Sequence, residues 1–222
     1  MKDKLYDYSQ LRLSNITDKK YRHIFLLLGW PCYLLMYYLT EHFISVDKCH
    51  VVHCFVDDLI PFVEQFVFAY VFWYFLIAFS LAYFLFYDVE SFKGLQIFII
   101  VTQVVAMIVY IAWPSIQLLR PDTFPRQNFC TWLLGRIYAV DTPTGVCPSL
   151  HVAYSIGIAS AWLKRKQSRV PVKIFMVVTA VLICMSVNFV KQHSFVDVVA
   201  AIPLCMLAEY IAFGNSYWKS KI

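Results

Sequence analysis

Charged side chains are scarce in this sequence. Asp, Glu, Lys and Arg make up 15% of its 222 residues, where ordinary soluble domains carry about 25%. Glycine occurs six times, and no Gly/Ser linker, low-complexity tract or internal repeat interrupts the chain. Those absences exclude a disordered protein, a collagen-like repeat and a charged coiled coil. The seven cysteines are odd in number and do not make the dense framework of a disulfide-stapled secreted domain. What is present is apolar: 60% of the residues are hydrophobic and 18% aromatic, with a mean hydropathy of +0.62. A soluble globule of this size has too little interior to hide so much apolar surface from water. The composition predicts an integral membrane protein, and the length fits a single domain.

A helix needs about 20 mostly apolar residues to cross the hydrocarbon core. Six stretches qualify, at 24–40, 66–86, 95–113, 148–163, 171–190 and 195–213, the fourth being the shortest. The first follows a basic segment, as a secretory signal does. Leu39-Thr40-Glu41-His42-Phe43 stands where a small-residue cleavage site belongs, so a retained anchor is expected. Basic residues collect before the first span (Lys2, Lys4, Arg12, Lys19, Lys20, Arg22), between the fourth and fifth (Lys164, Arg165, Lys166, Arg169, Lys173) and after the sixth (Lys219, Lys221). With six spans these three regions share one side, and the excess of Lys and Arg assigns it to the cytoplasm. The loop after the first span sets Lys48 against Glu41, Asp47, Asp57 and Asp58, which suits the outer side. The same loop bias accounts for the net charge of +5 with no nucleic acid as partner. The expected fold is an all-α integral membrane protein, a bundle of six transmembrane helices forming one membrane domain over 1–222. It lies in the cell membrane with both termini cytoplasmic, and residues 1–22 form a cytoplasmic N-terminal segment.

Three connections then face outward, at about 41–65, about 114–147 and 191–193. Cys32, Cys184 and Cys205 lie in apolar runs, where a thiol behaves as a small hydrophobe. Cys49, Cys54, Cys130 and Cys147 lie in outward connections, where Cys49–Cys54 and Cys130–Cys147 disulfides and free thiols are both open. Cys49-His50-Val51-Val52-His53-Cys54 has the composition of a metal cluster. Its four ligands are packed more tightly than structural zinc spacing, so disulfide or free thiols are the expectation. Glu64 and Glu209 stand near span ends, where interfacial solvation is expected, and the Phe and Tyr stripes of 66–87 read as lipid-facing surface or core.

Polar residues gather at the outer edge of the spans. Arg120-Pro121 follows the third, Cys147-Pro148-Ser149-Leu150-His151 opens the fourth, and Lys191-Gln192-His193-Ser194-Phe195-Val196-Asp197 opens the sixth. Ionisable groups at membrane depth are costly and point to function. His193 and Asp197 are four apart, so on a helix they share a face. A carboxylate there accepts one ring proton, fixes the tautomer and leaves the second nitrogen as base or nucleophile. Ser149, just after Pro148, marks a helix start whose free N–H groups attract an anion. Taken singly, each is also explained as an inert helix-start pair or an ordinary cap. Taken together, two histidines, one carboxylate, Arg120, Lys191 and a helix N-terminus suit phosphoryl transfer to histidine. The cations and N–H groups hold the equatorial oxygens, one imidazole attacks and the other protonates the leaving oxygen. No carboxylate cluster for Mg²⁺ accompanies them, so a metal-independent reaction with no cofactor is expected. Bis-histidine haem ligation needs imidazoles well inside the bilayer, and a transporter needs broken helices or paired repeats near the midplane. Neither pattern stands out, and a non-enzymatic membrane transporter or scaffold stays as the alternative, one that would bind without turnover and keep binding after His193→Ala.

At these residues the chain resembles the type 2 phosphatidic acid phosphatase superfamily of membrane lipid phosphatases. The family signatures are Lys-x6-Arg-Pro, Pro-Ser-Gly-His and Ser-Arg-x5-His-x3-Asp. Here they stand as Trp113-x6-Arg120-Pro121, Pro148-Ser149-Leu150-His151 and Ser186-Val187-x5-His193-x3-Asp197. The resemblance covers spans three to six, about half the chain, with catalytic core motifs across 114–218. It implies His193 as the nucleophile that forms a phosphohistidine, Asp197 as the group orienting it, and His151 as the general acid. Ser149 and Arg120 would hold phosphate oxygens. Trp113 replaces the lysine of the first signature, Val187 the arginine of the third and Leu150 the glycine of the second. Two phosphate-holding cations are therefore missing. Lys191 is the expected substitute, with Arg126 and Arg136 as weaker ones. The implied activity is hydrolysis of a lipid phosphate or pyrophosphate drawn from the bilayer, at the extracytoplasmic face. Pro-Ser-Leu-His followed by His-x3-Asp also looks like the branch containing inositol phosphorylceramide synthases, in which an alcohol takes the phosphoryl group. The two outcomes share one nucleophile and one acid, and the residues do not choose between them.

Overall fold

The computed structural model describes residues 5–217, with side chains through 214. Lys2, Lys4, Lys219 and Lys221, which carry part of the orientation argument, lie outside the described residues. Two strands of two residues, β1 (His50–Val51) and β2 (Ser115–Ile116), run parallel. The rest of the regular structure is helical: α1 (Gly29–Phe43), α2 (Phe55–Leu59), α3 (Val67–Tyr87), α4 (Val89–Ala112), α5 (Phe129–Val140), α6 (Leu150–Lys164), α7 (Val170–Phe189) and α8 (Phe195–Tyr217). Short 3-10 turns lead into several of them, Arg22–Leu28 into α1 and Glu64–Phe66 into α3. Side-chain caps start α4 (Asp88), α5 (Asn128) and α6 (Ser149). Pro171 stands in the first turn of α7, where the missing N–H costs nothing.

Among the described residues five helical segments are long and apolar enough to cross a membrane: Arg22–Phe43, Glu64–Tyr87, Val89–Ala112, Val170–Phe189 and Phe195–Gly214. The fourth expected span, 148–163, departs from this. It forms α6, a helix of 15 residues, which at about 1.5 Å per residue falls short of the ~30 Å hydrocarbon core. The reason lies in its position. α6 sits at the centre of the bundle, packed on α3, α4, α7 and α8, and ten of its residues are buried. Ala153, Gly157 and Ala161 recur at helical spacing, and such small residues let neighbouring backbones approach. A Cβ on Gly157 would lie 2.5 Å from Cδ1 of Phe98 on α4. Trp162 then donates to Ser80 of α3 at 3.0 Å. By contrast α1 buries none of its residues and rests on α4 at the periphery.

The loops sort onto two ends. At one end Arg165, after α6, pairs with Asp88 of the α3–α4 turn at 3.0 Å, while Tyr6 N–H donates to Phe86 O and Tyr8 hydroxyl to Leu85 O. The N-terminal segment, the α3–α4 turn and the α6–α7 connection therefore meet. At the other end Val63 N–H donates to Phe189 O, and the strand pair joins the α1–α3 connection to the α4–α5 connection.

The expectation for Glu64 changes here. Glu64 is fully buried rather than solvated: Arg126 grips both its oxygens, Nε at 2.6 Å and Nη2 at 2.7 Å, and Asn128 adds a third bond. Arg126 is thus occupied at the head of α3, and Arg136 lies over the Trp132 ring. Glu209 pairs with Lys164 and accepts from Ser160. All seven cysteines are free thiols. In the 49–54 segment His50 stacks flat on Trp113, 5.2 Å between ring centroids, and His53 pairs with Asp58. Among the described residues no three of His, Cys, Asp and Glu are grouped as a metal ion requires.

Candidate active site

α7 ends on a turn that delivers His193. Gln192 and Lys191 N–H groups bond back to Val187 and Asn188 carbonyls, closing a Schellman motif that usually takes glycine at its left-handed position. Lys191 occupies it with φ of 54°, at a cost of about 1 kcal/mol. Its ammonium then donates to Asp57 O at 2.9 Å and Ile60 O at 2.6 Å, which holds the strained turn against the α2 loop. Two residues on, His193 Nδ1 meets Asp197 Oδ2 at 3.0 Å. Asp197 is wholly buried in the first turn of α8, where a helix favours negative charge. Its Oδ2 also accepts from Ser194 N–H, while Oδ1 has no hydrogen-bond partner. With Nδ1 engaged, Nε2 is the nitrogen left to serve the cavity that His193 lines.

His151 comes from the first turn of α6 and is held by rings instead of hydrogen bonds. Tyr70 stacks on it at 4.6 Å and Trp73 at 4.0 Å between centroids, both from α3. Its Nε2 is buried without a partner. The two imidazoles are neighbours, 5.7 Å between ring centroids and inclined at 63°.

Both line one cavity of about 520 Å³, a size typical of small-molecule sites. Trp30, Leu34, Ile77 and Leu81 of α1 and α3 form its apolar part, and Asp141, Thr142, Thr144 and Gln192 stand with the histidines. Leu34 and Tyr74 on its walls are more than half exposed, so the cavity opens between α1 and α3 toward the apolar flank of the bundle.

The structure brings together His151, His193 and Asp197, and leaves Arg120, Ser149 and Lys191 out of the cavity lining. Lys191 is tied to the α2 loop as described. Arg120 stands behind Gln192 with its guanidinium fully engaged. Nε and Nη2 donate to Gln192 Oε1, Nη1 to Tyr138 O and Asp141 O, and Nη2 also to Thr142 O. It also lies over the Tyr138 ring at 4.6 Å. Ser149 is wholly buried as the cap of α6, its Oγ accepting from Val152 N–H. Among the described residues no lysine or arginine lines the cavity. Leu150 lines it, Val187 is packed in the core, and Trp113 lies beside His50.

Three residues of the site carried no signal in the sequence. Asp57 read only as part of a loop's charge bias. It is buried, accepts from Ser194 Oγ at 2.6 Å and Phe195 N–H at 2.7 Å, and so fastens the start of α8 next to His193. Burial pulls its carboxyl upward, but the bonds from Ser194, Phe195 and Cys54 outweigh that and hold it below the ordinary carboxylate value. Asp141 ends α5 and faces the cavity, its Oδ2 3.2 Å from Gln192 Nε2 and 3.4 Å from the Tyr70 hydroxyl. Burial pushes this carboxyl up, with Arg120 and His193 offsetting part of the shift. Gln192 links the two, between Arg120 and Asp141. Cys147 is no competing nucleophile: burial, then the Asp197 carboxylate, pushes its thiol up to about 12, and the thiol form is unreactive. Compared with known proteins, the chain matches no family model, no curated protein and no solved structure.

Proposed function

We propose that this protein catalyses phosphoryl transfer from a membrane lipid phosphate ester through a phosphohistidine, with water as acceptor, as the resemblance to the type 2 phosphatidic acid phosphatase superfamily implies. The observation that carries the reading is the meeting of His151 and His193, 5.7 Å apart by ring centroid, with one of them backed by a buried carboxylate. His193 Nε2 attacks phosphorus while Asp197 holds the Nδ1 proton and steadies the charge that develops on the ring. His151, whose ring lines the cavity, gives a proton to the leaving lipid oxygen. In the second half-reaction it takes a proton from the attacking water. The lipid would enter from the bilayer between α1 and α3, its apolar part along Trp30, Leu34 and Leu81. Phosphate oxygens would be met by neutral donors and by the first N–H groups of α6, and Arg120 would act through the Gln192 amide it grips.

In this reading α6 completes a sixth membrane crossing. Its short length is tolerated because irregular backbone at membrane depth is acceptable when buried in protein. The end bearing Arg165, Asp88 and the N-terminal segment is cytoplasmic and the cavity faces outward, supported by the clustering of basic loops at that first end. A second reading, transfer to an alcohol, is favoured by the apolar walls beside both histidines, where an acceptor lipid would displace water.

Purified protein in detergent, assayed with a panel of lipid phosphate esters in the presence of EDTA, should release phosphate or the phosphorylated headgroup and trap an acid-labile phosphoprotein. His193→Ala should lower turnover by at least about a thousandfold. Turnover that survives this substitution would reject the phosphohistidine. Candidate acceptor alcohols added to the same assay separate hydrolysis from transfer.

A further inference from the structure

We infer that the lipid this cavity accepts is a phosphodiester whose headgroup carries an ammonium, and that Asp141 with the tyrosines around it is the receptor for that cation. The inference rests on the phosphoryl-transfer reading of the same site and adds the class of headgroup.

The charge inventory of the cavity carries it. Among the described residues its acidic and basic lining consists of Asp141, His151 and His193, with no lysine or arginine. The nearest guanidinium, Arg120, faces away into carbonyls and the Gln192 amide. Asp141 makes no ion pair; its two bonds go to the neutral Gln192 amide and Tyr70 hydroxyl, at 3.2 and 3.4 Å. A phosphate monoester would bring nearly two negative charges into a site that already holds a carboxylate and offers no cation. Like charges so placed repel. A diester brings one charge, and an ammonium on its far side makes the headgroup neutral as a whole. The rings to receive that ammonium are present. Tyr33 and Tyr37 of α1 stack on each other at 6.1 Å, and Tyr74 of α3 lines the same cavity, all within electrostatic reach of Asp141. Ring faces flanked by a carboxylate are the surroundings in which alkylammonium groups bind. Burial raises the Asp141 carboxyl, with Arg120 and His193 offsetting part of the shift, and an ammonium seated beside it would favour its charged form.

The chemistry balances. His193 Nε2 forms a bond to phosphorus as the bond from phosphorus to the lipid oxygen breaks, and that oxygen leaves with the proton of His151. The phosphorylated amino alcohol stays on His193 until water or an alcohol takes it, returning a proton to His151.

The test uses four lipids with identical acyl chains in detergent: phosphatidylcholine, phosphatidylethanolamine, phosphatidylglycerol and phosphatidic acid. The expected kcat/KM for the two ammonium lipids exceeds that for the other two by about tenfold, a ratio that collapses in Asp141→Asn. Should that variant not fold, soluble headgroups decide on the wild-type protein: phosphocholine should inhibit about tenfold better than glycerol phosphate. Equal inhibition, or His193-dependent turnover that favours phosphatidic acid or phosphatidylglycerol, overturns the headgroup inference and leaves the phosphohistidine standing. If no lipid is turned over in a His193-dependent way, both fall.

Discussion

The head of α6 and the α7–α8 turn each supply one histidine to the cavity, and the two surroundings have little in common. The α7–α8 turn is polar and cross-tied. Lys191 is bonded to the α2 loop, Asp57 caps the start of α8, Asn188 donates to His193 O, and Asp197 fixes the ring. The head of α6 is apolar, and its histidine is wedged between Tyr70 and Trp73 with Nε2 unpartnered. A ring nitrogen backed by a buried carboxylate has its tautomer fixed and is steered by its partner. A ring held only by packing keeps its proton inventory free for a reacting group. The same side chain is thus given two characters by its neighbours, which matches a nucleophile and an acid better than two equivalent ligands.

The comparison can be broken by experiment. After the His193 substitution, the largest effect should come from Asp197→Asn, which preserves shape but removes the charge: kcat falls by about a hundredfold or more. If it falls by less than a few fold, the carboxylate is merely structural. His151→Gln should cost a similar factor on lipid substrates with a poor alcohol leaving group. Its loss should shrink to a few fold on a nitrophenyl phosphate ester, whose leaving group needs no acid. An equal loss on both substrates would remove the acid role and with it the asymmetry between the rings. Asp57→Asn should lower kcat by about tenfold with little change in KM, because it loosens the turn without touching substrate, and should cost about 1–2 kcal/mol of stability as a lost cap. The Asp57 carboxyl is depressed in the folded state. Its contribution is therefore present above the unfolded value of about 3.9 and disappears as pH falls through the lower folded one. Thermal melts of wild type and Asp57→Asn should converge in acid. The smallest effect on chemistry belongs to Gly157→Ala, far down α6, where the new methyl meets the Phe98 ring. It should destabilise by about 1–3 kcal/mol through overpacking and leave KM for a soluble substrate analogue unmoved.

Much of the fold was legible because membrane crossing is a local property of composition. Five expected spans reappear as helices long and apolar enough to cross. The fourth did not, since a helix jacketed by its neighbours needs neither the length nor the uniform greasiness of one facing lipid. Of the site, the histidines and Asp197 were legible as polar residues gathered at span edges, but His193 stands in the turn before α8, so its contact with Asp197 is closed by that turn and not by a shared helix face. Arg120 and Lys191 misled, because a sequence shows that a cation is present and not what its N–H groups already hold. Asp57 gave no sign, since the Ser194 it binds lies 137 residues away.

By itself the sequence determined that the chain is apolar enough for a membrane, that its six apolar stretches are helical, and that a histidine and an aspartate stand four residues apart at the start of the last of them. Only the tertiary structure decided which charges face the cavity. That outcome depends on hydrogen bonds closed between distant loops, and no local pattern records whether a guanidinium points at a ligand or at a carbonyl of its own chain.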